Sequence, residues 1–422
     1  MRHVIIGAGP AGVIAGETLR KLDPKSDITL IGDEPEPPYS RMAIPYVLVD
    51  KIDERGTYLR KTEAYYRDKK IELIQGRVAG VLPDKKSLSL QNQGDLVYDK
   101  LLIATGSRPV SPPIPGIDSE GVYPCWTLDD ARHIIERAQP GAKVVLMGAG
   151  FIGCIILEAL AERGVDLSVV EMENRMVPRM MNERSGNLIK QWCESKGVTV
   201  HTSTKIESIE TAPSDNRLRI GLDNGEVLTA DLVISATGVK PNIDFLDGSG
   251  LDTDLGIRVN ELLQTSNRDI YAAGDVAQGK DFSTGNYSIQ AIQPTAAEHG
   301  RIAASNMAGR NSMHRGSVNM NVLDTMGLIS SSFGLWMGVD GGEASELYDA
   351  DRYRYLNLQF QDDHLVGASS LGLTNHVGVL RGLIQSKIRL GGWKERLMQD
   401  PTRIMEAYLA NTQALGHNAQ VL

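Results

Sequence analysis

Two short runs of aliphatic residues that each stop at a glycine are the clearest hydrophobic pattern in this chain. The first, residues 4–6, ends at Gly7, and the second, residues 144–147, ends at Gly148. Apolar runs without alternation are typical of strands that are buried on both faces of a parallel sheet. A helix-forming segment follows each glycine turn, so the pattern predicts two βαβ units in an α/β protein.

The first glycine turn has the G-x-G-x-x-G spacing of a dinucleotide fingerprint. Gly7 makes the tight turn, Gly9 lets the backbone approach a pyrophosphate, and Gly12 allows the helix to pack closely on the strand. Pro10 and Ala11, between the last two glycines, belong to the same predicted site. The pyrophosphate would bind at the N-terminus of the helix, where the dipole favours an anion.

A second apolar run, residues 28–31, is followed by two acids, Asp33 and Glu34. Asp33 lies 26 residues after Gly7 (33 − 7 = 26). In dinucleotide folds an acid about 20 residues after the fingerprint holds a ribose hydroxyl. The ordered set of strand, helix, second strand and acid favours a nucleotide site over the alternative, a glycine turn that binds no ligand.

The second glycine turn repeats the fingerprint, with the residues Gly148, Gly150, Phe151, Ile152 and Gly153. Glu171 follows the next apolar strand, residues 167–170. A carboxylate at this position accepts from both ribose hydroxyls of NAD and repels the 2′-phosphate of NADP. Arg175, four residues further on, is the alternative because it could bind that phosphate. The sequence therefore favours NAD.

Three later apolar segments end in sequences that also suit a nucleotide site. Two of them end in Ala-Thr-Gly, at residues 104–106 and 236–238, and the third runs into Gly274 and Asp275. An Asp at the carboxyl end of a strand can accept hydrogen bonds from ribityl hydroxyls, and the preceding Gly allows close approach. A helix-like segment, residues 294–307, comes next.

Composition narrows the class of protein. At 422 residues the chain is too long for one core, and about 100–200 residues per domain predict two to four domains. The net charge of −9 argues against a nucleic-acid partner. No apolar stretch reaches the ~20 residues of a membrane span, and no signal peptide precedes the fingerprint, so we expect a cytoplasmic protein without a membrane partner. Cys125, Cys154 and Cys193 are too widely spaced for a disulfide framework.

The C-terminal quarter has a different pattern. Short alternating segments, residues 353–360 and 364–370, predict an antiparallel sheet, and residues 377–390 and 401–414 predict closing helices. We interpret this part as a small interface or dimerisation domain. The predicted domains are residues 1–112 and 242–316 for the first nucleotide, 113–241 for the second, and 317–422 for the interface.

With both fingerprints, both Ala-Thr-Gly strand ends and Gly274-Asp275 in this order, residues 1–310 resemble the two-dinucleotide flavoproteins of the pyridine nucleotide–disulfide oxidoreductase superfamily. Rubredoxin and ferredoxin reductases belong to that superfamily. The resemblance implies FAD in the first unit and NAD(H) in the second. It places Asp33 on the adenosine ribose, Arg41 near the flavin diphosphate and Asp275 on the ribityl chain. For Arg41 the alternative is a solvated loop cation.

The resemblance extends to further positions. The residues that it assigns to FAD are Gly7, Gly9, Pro10, Ala11, Gly12, Asp33, Glu34, Arg41, Val78, Ala104, Thr105, Gly106, Gly274, Asp275, Gln293, Pro294 and Thr295, with Gln293 and Pro294 against the flavin ring. Those that it assigns to NAD(H) are Gly148, Gly150, Phe151, Ile152, Gly153, Glu171, Thr237 and Gly238. We predict no metal ligand and no acid–base catalyst, because the flavin carries the chemistry.

The chain departs from the family at two positions. Met42 stands where relatives carry a redox cysteine, and a thioether forms neither a thiolate nor a disulfide, so we interpret it as packing beside the flavin. Ile155 replaces a Glu that faces the nicotinamide in relatives, which weakens the case for hydride exchange. Cys125 could lie near the flavin, but a small buried side chain is the favoured interpretation, and Cys154 is interpreted as helix packing.

These features predict an FAD-dependent NAD(H) oxidoreductase that exchanges single electrons with an iron–sulfur protein or subunit. The partner would be a rubredoxin, a ferredoxin or a subunit of a larger enzyme. Residues 391–397 resemble flavin subunits such as that of a tungsten aldehyde oxidoreductase. We expect a homodimer or a member of a hetero-oligomeric complex. The alternatives are an NADH oxidase or small-molecule disulfide reductase that acts directly from the flavin, a structural or sensing flavoprotein that has lost turnover, and a nucleotide-binding module without flavin.

Overall fold

A computed structural model describes residues 1–62, 64–212 and 217–418 of the chain, with side chains up to residue 411. Its contacts divide the chain into two compact units. The first unit comprises Met1–Val110, Trp126–Leu128 and Val239–Ser317. The second comprises Ser111–Cys125, Asp129–Gly238 and the chain from Val318 onward. The domain boundaries predicted at residues 112, 241 and 316 stay a prediction.

The N-terminal part of the first unit holds β1 Arg2–Ile6, α1 Pro10–Leu22, β2 Asp27–Gly32, α2 Ile44–Leu48, α3 Tyr65–Asp68, β3 Ile71–Gln75, β4 Val78–Leu82, β5 Ser87–Leu90, β6 Gly94–Val97, β7 Lys100–Ile103 and β8 Ser107–Pro109. β1 is the central strand of a parallel sheet, between β2 and β7. Its residues Val4, Ile5 and Ile6 are buried, and a fully buried side chain of this size contributes roughly 1.5–3 kcal/mol. β4, β5 and β6 form a separate antiparallel sheet.

The first helix begins where the glycine turn ends. Pro10 occupies the first turn of α1, where its fixed φ suits the helix and its missing N–H costs nothing. Arg20 and Lys21 lie in the last turn, where positive charge is favourable.

The middle of the chain holds β9 Val122–Pro124, α4 Leu128–Arg137, β10 Lys143–Met147, α5 Phe151–Glu162, β11 Asp166–Val170, α6 Glu183–Ser195, β12 Thr199–His201, β13 Ile206–Thr211, β14 Leu218–Leu222, β15 Val227–Ala230 and β16 Leu232–Ser235. Here β10 is the central strand of a second parallel sheet, with the order β12-β11-β10-β16-β9. β13, β14 and β15 form an antiparallel sheet. The second unit therefore repeats the β–glycine turn–α–β arrangement of the first.

The chain returns to the first unit with β17 Val239–Pro241, β18 Ile257–Arg258, β19 Ile270–Ala272, β20 Ala277–Lys280, β21 Tyr287–Ser288 and α7 Gln293–Met307. β19 pairs in parallel with β7 and completes the sheet in the order β19-β7-β1-β2-β3. Helix α7 packs so closely against α1 that a methyl group on Gly300 would lie 2.4 Å from the Ala11 carbonyl oxygen. Gly300 therefore brings the N-terminal turn of α1 next to α7.

The C-terminal part of the second unit holds β22 Met320–Thr325, β23 Leu328–Gly334, β24 Glu343–Asp349, β25 Arg354–Gln361, β26 His364–Leu371, α8 Val377–Ser386, α9 Gly392–Gln399 and α10 Ile404–Asn418. The strands form an antiparallel sheet in the order β22-β23-β26-β25-β24. The helix predicted over residues 377–390 ends earlier, because Lys387 adopts a left-handed conformation with φ 48°. The helix predicted from residue 401 begins later, because Asp400 caps a short turn by accepting from the Thr402 amide at 3.0 Å.

The two parallel sheets with their crossover helices confirm the predicted α/β fold. Within the part of the chain that the structure describes, the helices are too short or too polar to cross a membrane.

Candidate functional site

The two glycine turns have the same backbone geometry. Gly7 has φ 109° and Gly148 has φ 98°, a region that L residues other than glycine rarely adopt. The Gly7 amide donates to the Ile31 carbonyl at 2.8 Å, and the Gly148 amide donates to the Val170 carbonyl at 2.8 Å. Each turn is therefore tied to the strand that carries its acid.

The third glycine of each turn lets the helix approach the strand. A methyl group on Gly12 would lie 2.0 Å from the Gly7 carbonyl oxygen, and one on Gly153 would lie 2.2 Å from the Gly148 carbonyl oxygen. These distances are far below van der Waals contact, so no other residue fits without moving the backbone.

The second glycine of each turn faces open space. A methyl group on Gly9 or on Gly150 would meet no atom within 4 Å. Both residues are the N-caps of their helices, α1 and α5, and neither has a side chain that could fill the amide-lined concavity. A helix N-terminus with open space above it suits a diphosphate. The structure thus leaves room at both turns for the group that the fingerprint predicts.

The two Ala-Thr-Gly strand ends border the two turns. A methyl group on Gly7 would lie 2.1 Å from the Ala104 carbonyl oxygen, and one on Gly148 would lie 2.7 Å from the Ala236 carbonyl oxygen. Thr105, Gly106, Thr237 and Gly238 continue from these strand ends, and both glycines have positive φ. The repeated tripeptide therefore has the same place in both units.

Glu171 is buried and bonded to the second glycine turn. One carboxylate oxygen accepts from the Ala149 amide at 2.7 Å, and the other accepts from the Glu173 amide at 2.9 Å. Two backbone donors hold the carboxylate beside the turn with its negative charge in place. The acid is therefore positioned before any nucleotide arrives.

Arg175 is held away from Glu171 by the loop that follows. Its guanidinium donates to the Met181 carbonyl at 2.8 Å, to the Asn174 side chain at 2.8 Å and to the Pro178 carbonyl at 3.2 Å. These three bonds use three of the five N–H groups of the guanidinium and fix its position in the loop. The alternative in which Arg175 binds a 2′-phosphate stays open.

In the first unit the acid that makes contacts is Glu34. Asp33 is exposed, whereas the Glu34 carboxylate accepts from the Tyr39 hydroxyl and from Arg41. The Arg41 guanidinium also donates to the Trp126 carbonyl at 2.7 Å, and its carbon lies 5.5 Å from the Tyr39 ring centre and 5.4 Å from that of Trp126. Arg41 is thus a half-buried cation held between two aromatic rings, which contradicts the alternative of a solvated loop cation.

A chain of contacts leads from Trp126 to Asp275. The Trp126 indole donates to the Ser107 carbonyl at 3.1 Å, and the Ser107 hydroxyl donates to an Asp275 carboxylate oxygen at 2.9 Å. Burial raises the pKa of Asp275, and the bonds from Ser107 and the charge of Arg41 oppose that rise. Asp275 is therefore a partly buried carboxylate that the Ser107 hydroxyl holds through one of its oxygens.

The N-terminus of α7 contacts the loop that carries Arg41. Gln293 and Pro294 are exposed and Thr295 is buried, and the Gln293 side-chain oxygen accepts from the Ser40 hydroxyl at 2.9 Å. Ser40 precedes Arg41, so this bond ties the helix to the loop that carries the arginine.

Val78 is buried at the start of β4, opposite Leu90.

A cavity of about 410 Å³ opens beside Gly32, at the carboxyl end of β2. Its wall includes Tyr58, Tyr66 and Leu73, together with the basic side chains of Arg55 and Lys61. Glu34 and Glu36 also line the cavity, so its wall combines apolar side chains with charges of both signs, and its size is typical of a pocket for a small organic ligand. Its place next to Gly32 puts it at the end of the strand whose acid was predicted to bind a ribose.

The three cysteines are buried thiols. Burial raises the pKa of Cys125 and of Cys193 to about 12, and it also raises the pKa of Cys154. Protonated buried thiols are poor nucleophiles. Met42 is 50% exposed, and its packing beside the flavin stays a prediction. These observations give no support to chemistry through a thiol.

Sequence reasoning missed Tyr39, Ser107 and Trp126. Each contacts a residue that the resemblance had assigned, either Arg41 or Asp275. Of the three, Trp126 is the one that the sequence could have indicated, because an aromatic residue in a connecting segment often marks a site. The two others carry no pattern that separates them from ordinary loop residues.

Two parallel sheets that each end in a glycine fingerprint define a protein with two dinucleotide sites. A family model described as pyridine nucleotide-disulphide oxidoreductase matches residues 1–300. The chain belongs to this family. Its members are enzymes that use FAD and NAD(H), so both predicted cofactors and the predicted class of oxidoreductase are confirmed.

Several known proteins resemble the chain over most of its length. Subunit epsilon of the NADH-dependent phenylglyoxylate dehydrogenase of Aromatoleum evansii is 30% identical over 414 residues, which cover 97% of this chain and 98% of that protein. An NADH oxidase of Methanocaldococcus jannaschii is 33% identical over 319 residues, which cover 73% of this chain and 70% of that protein. The solved NAD-dependent persulfide reductase from A. fulgidus has a TM-score of 0.86 and 28% identity, over 93% of this chain and 78% of that one.

Other relatives, 25–32% identical, are named as ferredoxin and rubredoxin reductases. The chain is therefore an NAD(H)-dependent flavoprotein oxidoreductase related to ferredoxin and rubredoxin reductases and to NADH oxidases.

Proposed function

We propose that this oxidoreductase exchanges electrons with an iron–sulfur protein or subunit, without a thiol relay. The observation that carries the proposal is the combination of two nucleotide sites with three buried cysteines whose pKa values are raised. Met42, in the segment where related enzymes carry a redox cysteine, has no reactive group. An enzyme of this family without a thiol needs another route for its electrons, and a one-electron protein partner supplies it.

In the first unit the proposal assigns FAD to the turn at Gly7–Gly12 and to the contacts around Asp275. The α1 N-terminus would bind the diphosphate, with Arg41 as the neighbouring cation. Asp275 would accept from the ribityl hydroxyls, and Ser107 would hold its second oxygen. The cavity beside Gly32 would take the adenosine end. The flavin held there would supply the redox chemistry, which is two-electron exchange with NADH and one-electron exchange with the protein partner.

In the second unit the proposal assigns NAD(H) to the turn at Gly148–Gly153. Glu171 would accept from the ribose hydroxyls, for which its carboxylate is already positioned. The Glu171 carboxylate would repel the 2′-phosphate of NADP, and Arg175 is held in its loop by the Met181 and Pro178 carbonyls. The chain should therefore discriminate strongly in favour of NAD.

A multi-subunit complex is the assembly that we favour. The relative from Aromatoleum evansii is named as one subunit of a dehydrogenase, and the similarity runs over 98% of its length. By this analogy the chain would be the subunit that connects NAD with the iron–sulfur subunits of a larger dehydrogenase. We assign no substrate to that larger enzyme, and the tungsten aldehyde oxidoreductase stays one example of the type.

An anaerobic titration of the purified FAD-loaded protein tests the proposal. Near-stoichiometric NADH should bleach the flavin absorbance near ~450 nm, and NADPH should need at least about 100-fold higher concentration. An iron–sulfur protein from the same source, added next, should restore the absorbance while its own spectrum changes. No bleaching by NADH would contradict the hydride step and favour a structural or sensing flavoprotein, for which Ile155 is the best support.

An NADH oxidase is the second candidate, because the relative from Methanocaldococcus jannaschii carries that name. Oxygen consumption separates the two candidates. Fast NADH-dependent oxygen uptake by the protein alone would favour the oxidase. Slow uptake that rises when an iron–sulfur protein and its terminal acceptor are added would favour the electron-transfer proposal.

A further inference from the structure

Two buried histidines lie behind the Gly274–Asp275 turn in the first unit. His299 on α7 and His314 in the segment after that helix are each 3% exposed. Their rings meet edge to face, with centroids 4.6 Å apart and an interplanar angle of 84°. Neither side chain belongs to the nucleotide sites described above, yet a neutral imidazole pair in the core costs desolvation energy unless its polar atoms are bonded.

The contacts of His299 fix which ring nitrogen carries its proton. The Gly274 amide donates to His299 Nδ1 at 3.4 Å, so Nδ1 is the acceptor. The proton of the neutral ring is then on Nε2. Nε2 lies 3.3 Å from His314 Nε2 and 3.4 Å from the Ser317 hydroxyl, and both of these groups can accept. Burial, and then the neighbouring His314, lower the pKa of His299 to about 3, which keeps the ring neutral at neutral pH.

The far end of this contact chain is anchored to the rest of the unit. The His314 amide donates to the Glu261 carbonyl at 2.7 Å, and the Ser317 amide donates to the Lys280 carbonyl at 3.1 Å. His314 Nε2 also lies 3.1 Å from the Ser317 hydroxyl. The histidine pair therefore connects a fixed segment to the backbone of the turn.

Gly274 lies in a crowded turn. Gly274 has φ 76°, and a methyl group on it would lie 3.3 Å from the Ala11 side chain and 3.5 Å from that of Ala296. Without an acceptor on His299 the buried Gly274 amide would lose its hydrogen bond, and the turn could relax by rotating its peptide. The next residue, Asp275, would change its direction with that rotation.

We propose that His299 is a positioning residue of the flavin site, which holds the Gly274 amide so that Asp275 points its carboxylate toward the ribityl chain. His314 and Ser317 offer acceptors for the Nε2 proton of that tautomer. The inference rests on the proposed function, because it takes the ribityl role of Asp275 as given. His299 acts through the backbone and does not itself contact the cofactor.

Two conservative variants distinguish the roles of the two ring nitrogens. The oxygen of His299→Asn can replace Nδ1 and keep the bond from Gly274, whereas the amide of His299→Gln replaces Nε2 and leaves the Gly274 amide without an acceptor. We expect the apoprotein of His299→Gln to bind FAD about tenfold more weakly than wild type, and that of His299→Asn to stay within about threefold. His3→Asn is the matched control, since His3 is a buried histidine of the same unit that bonds Asp23 at 3.3 Å.

Thermal unfolding of each apoprotein measures the structural contribution separately. A merely structural role would lower the melting temperature in both His299 variants and leave their FAD dissociation constants equal, which would overturn the inference. If the wild-type apoprotein binds no FAD at all, the proposed function fails together with the inference. If wild type binds FAD and only the difference between the Asn and Gln variants is missing, the inference alone fails.

Nitrogen-15 NMR of histidine-labelled wild-type apoprotein tests the tautomer directly. His299 should show a protonated Nε2 and an unprotonated Nδ1 at pH 7, with the His299→Asn spectrum used to assign its signals. A protonated Nδ1 would exclude the bond from Gly274 and would overturn the inference.

Discussion

The two glycine turns share their backbone geometry and differ in how the nearby acid is held. In the second unit Glu171 is buried and accepts from the Ala149 amide, within the turn itself. In the first unit Asp33 is exposed, and the neighbouring Glu34 holds Arg41 instead. The same fingerprint is thus preorganised in two ways, by a carboxylate bonded to the turn or by a cation fixed beside it.

This difference suits the two nucleotides that we assign. Both dinucleotides carry an adenosine ribose and a diphosphate. In the second unit the fixed carboxylate of Glu171 suits the ribose, and in the first unit Arg41 adds a cation that suits the diphosphate. The backbone of the turn supplies what is common to both ligands, and the side chains around it supply what differs. Each prediction below tests one half of this comparison against the other.

The largest effect is expected from the first glycine of a turn. Gly7→Ala would place a methyl group 2.1 Å from the Ala104 carbonyl oxygen on a backbone with φ 109°, whereas the corresponding contact for Gly148→Ala is 2.7 Å. Overpacking and backbone strain together should lower the free energy of unfolding by about 3 kcal/mol or more for Gly7→Ala, and by less for Gly148→Ala. Chemical denaturation of the apoproteins measures both values.

Gly9→Ala is the matched control, because its methyl group would meet no atom within 4 Å. It should leave the stability of the apoprotein within about 0.5 kcal/mol of wild type and still weaken FAD binding, since the methyl group would occupy the space of the diphosphate. An unstable Gly9→Ala apoprotein, or a stable Gly7→Ala one, would contradict the geometry described for the turn.

The acids provide the second contrast. Glu171→Ala removes the acceptor of two backbone amides, so the apoprotein should lose about 2 kcal/mol, and the NADH dissociation constant should rise roughly 30-fold or more. The preference for NADH over NADPH should shrink, because the repulsion between Glu171 and the 2′-phosphate is removed together with the carboxylate. Calorimetric titration with NADH and NADPH measures both constants.

Asp33→Ala is the counterpart in the first unit. Its side chain is exposed, so the stability of the apoprotein should change by less than about 0.5 kcal/mol, and only FAD binding should weaken. Equal losses of stability in the Asp33 and Glu171 variants would remove the distinction between the two turns.

Sequence reasoning could find both turns because the glycine spacing, the apolar strands and the acids are local features. It could not find the contacts of Arg41 with Trp126 or of Ser107 with Asp275, because these pairs are 85 and 168 residues apart in the chain. It named both Asp33 and Glu34 for the first site, and only the structure shows that Glu34 bonds Tyr39 and Arg41, while the role of Asp33 on the ribose stays a prediction. The burial of Cys125 and of Cys154, in contrast, agrees with the interpretation made from the sequence.

Arg41 tests the cation half of the comparison. Arg41→Lys keeps the charge but loses the planar group that lies between Tyr39 and Trp126 and donates to Glu34 and Trp126 at once. We expect FAD binding to weaken about tenfold, with a shift in tryptophan fluorescence of the apoprotein. Arg175→Lys, which alters an equally engaged arginine in the second unit, should leave FAD binding unchanged. Full FAD affinity in Arg41→Lys would show that charge alone suffices.

The smallest effect concerns the pH dependence of stability, through the histidine behind the first turn. The pKa of His299 is lowered from 6.5 to about 3 in the folded protein, first by burial. The unfolded chain therefore binds the proton more readily, so the contribution to stability is fully present above pH 6.5 and is lost as the pH falls toward 3. At pH 5.5 the loss should be about 1 kcal/mol relative to pH 7.5.

Denaturant unfolding of wild-type, His299→Asn and His376→Asn apoproteins at the two pH values isolates this contribution. His299→Asn should lose about 1 kcal/mol less than wild type on acidification, because its side chain does not titrate. His376 is exposed, so its variant should follow wild type. If all three proteins lost the same stability, the proton would not be excluded from His299, and the neutral ring that accepts from Gly274 would not be the form that holds the first turn in place.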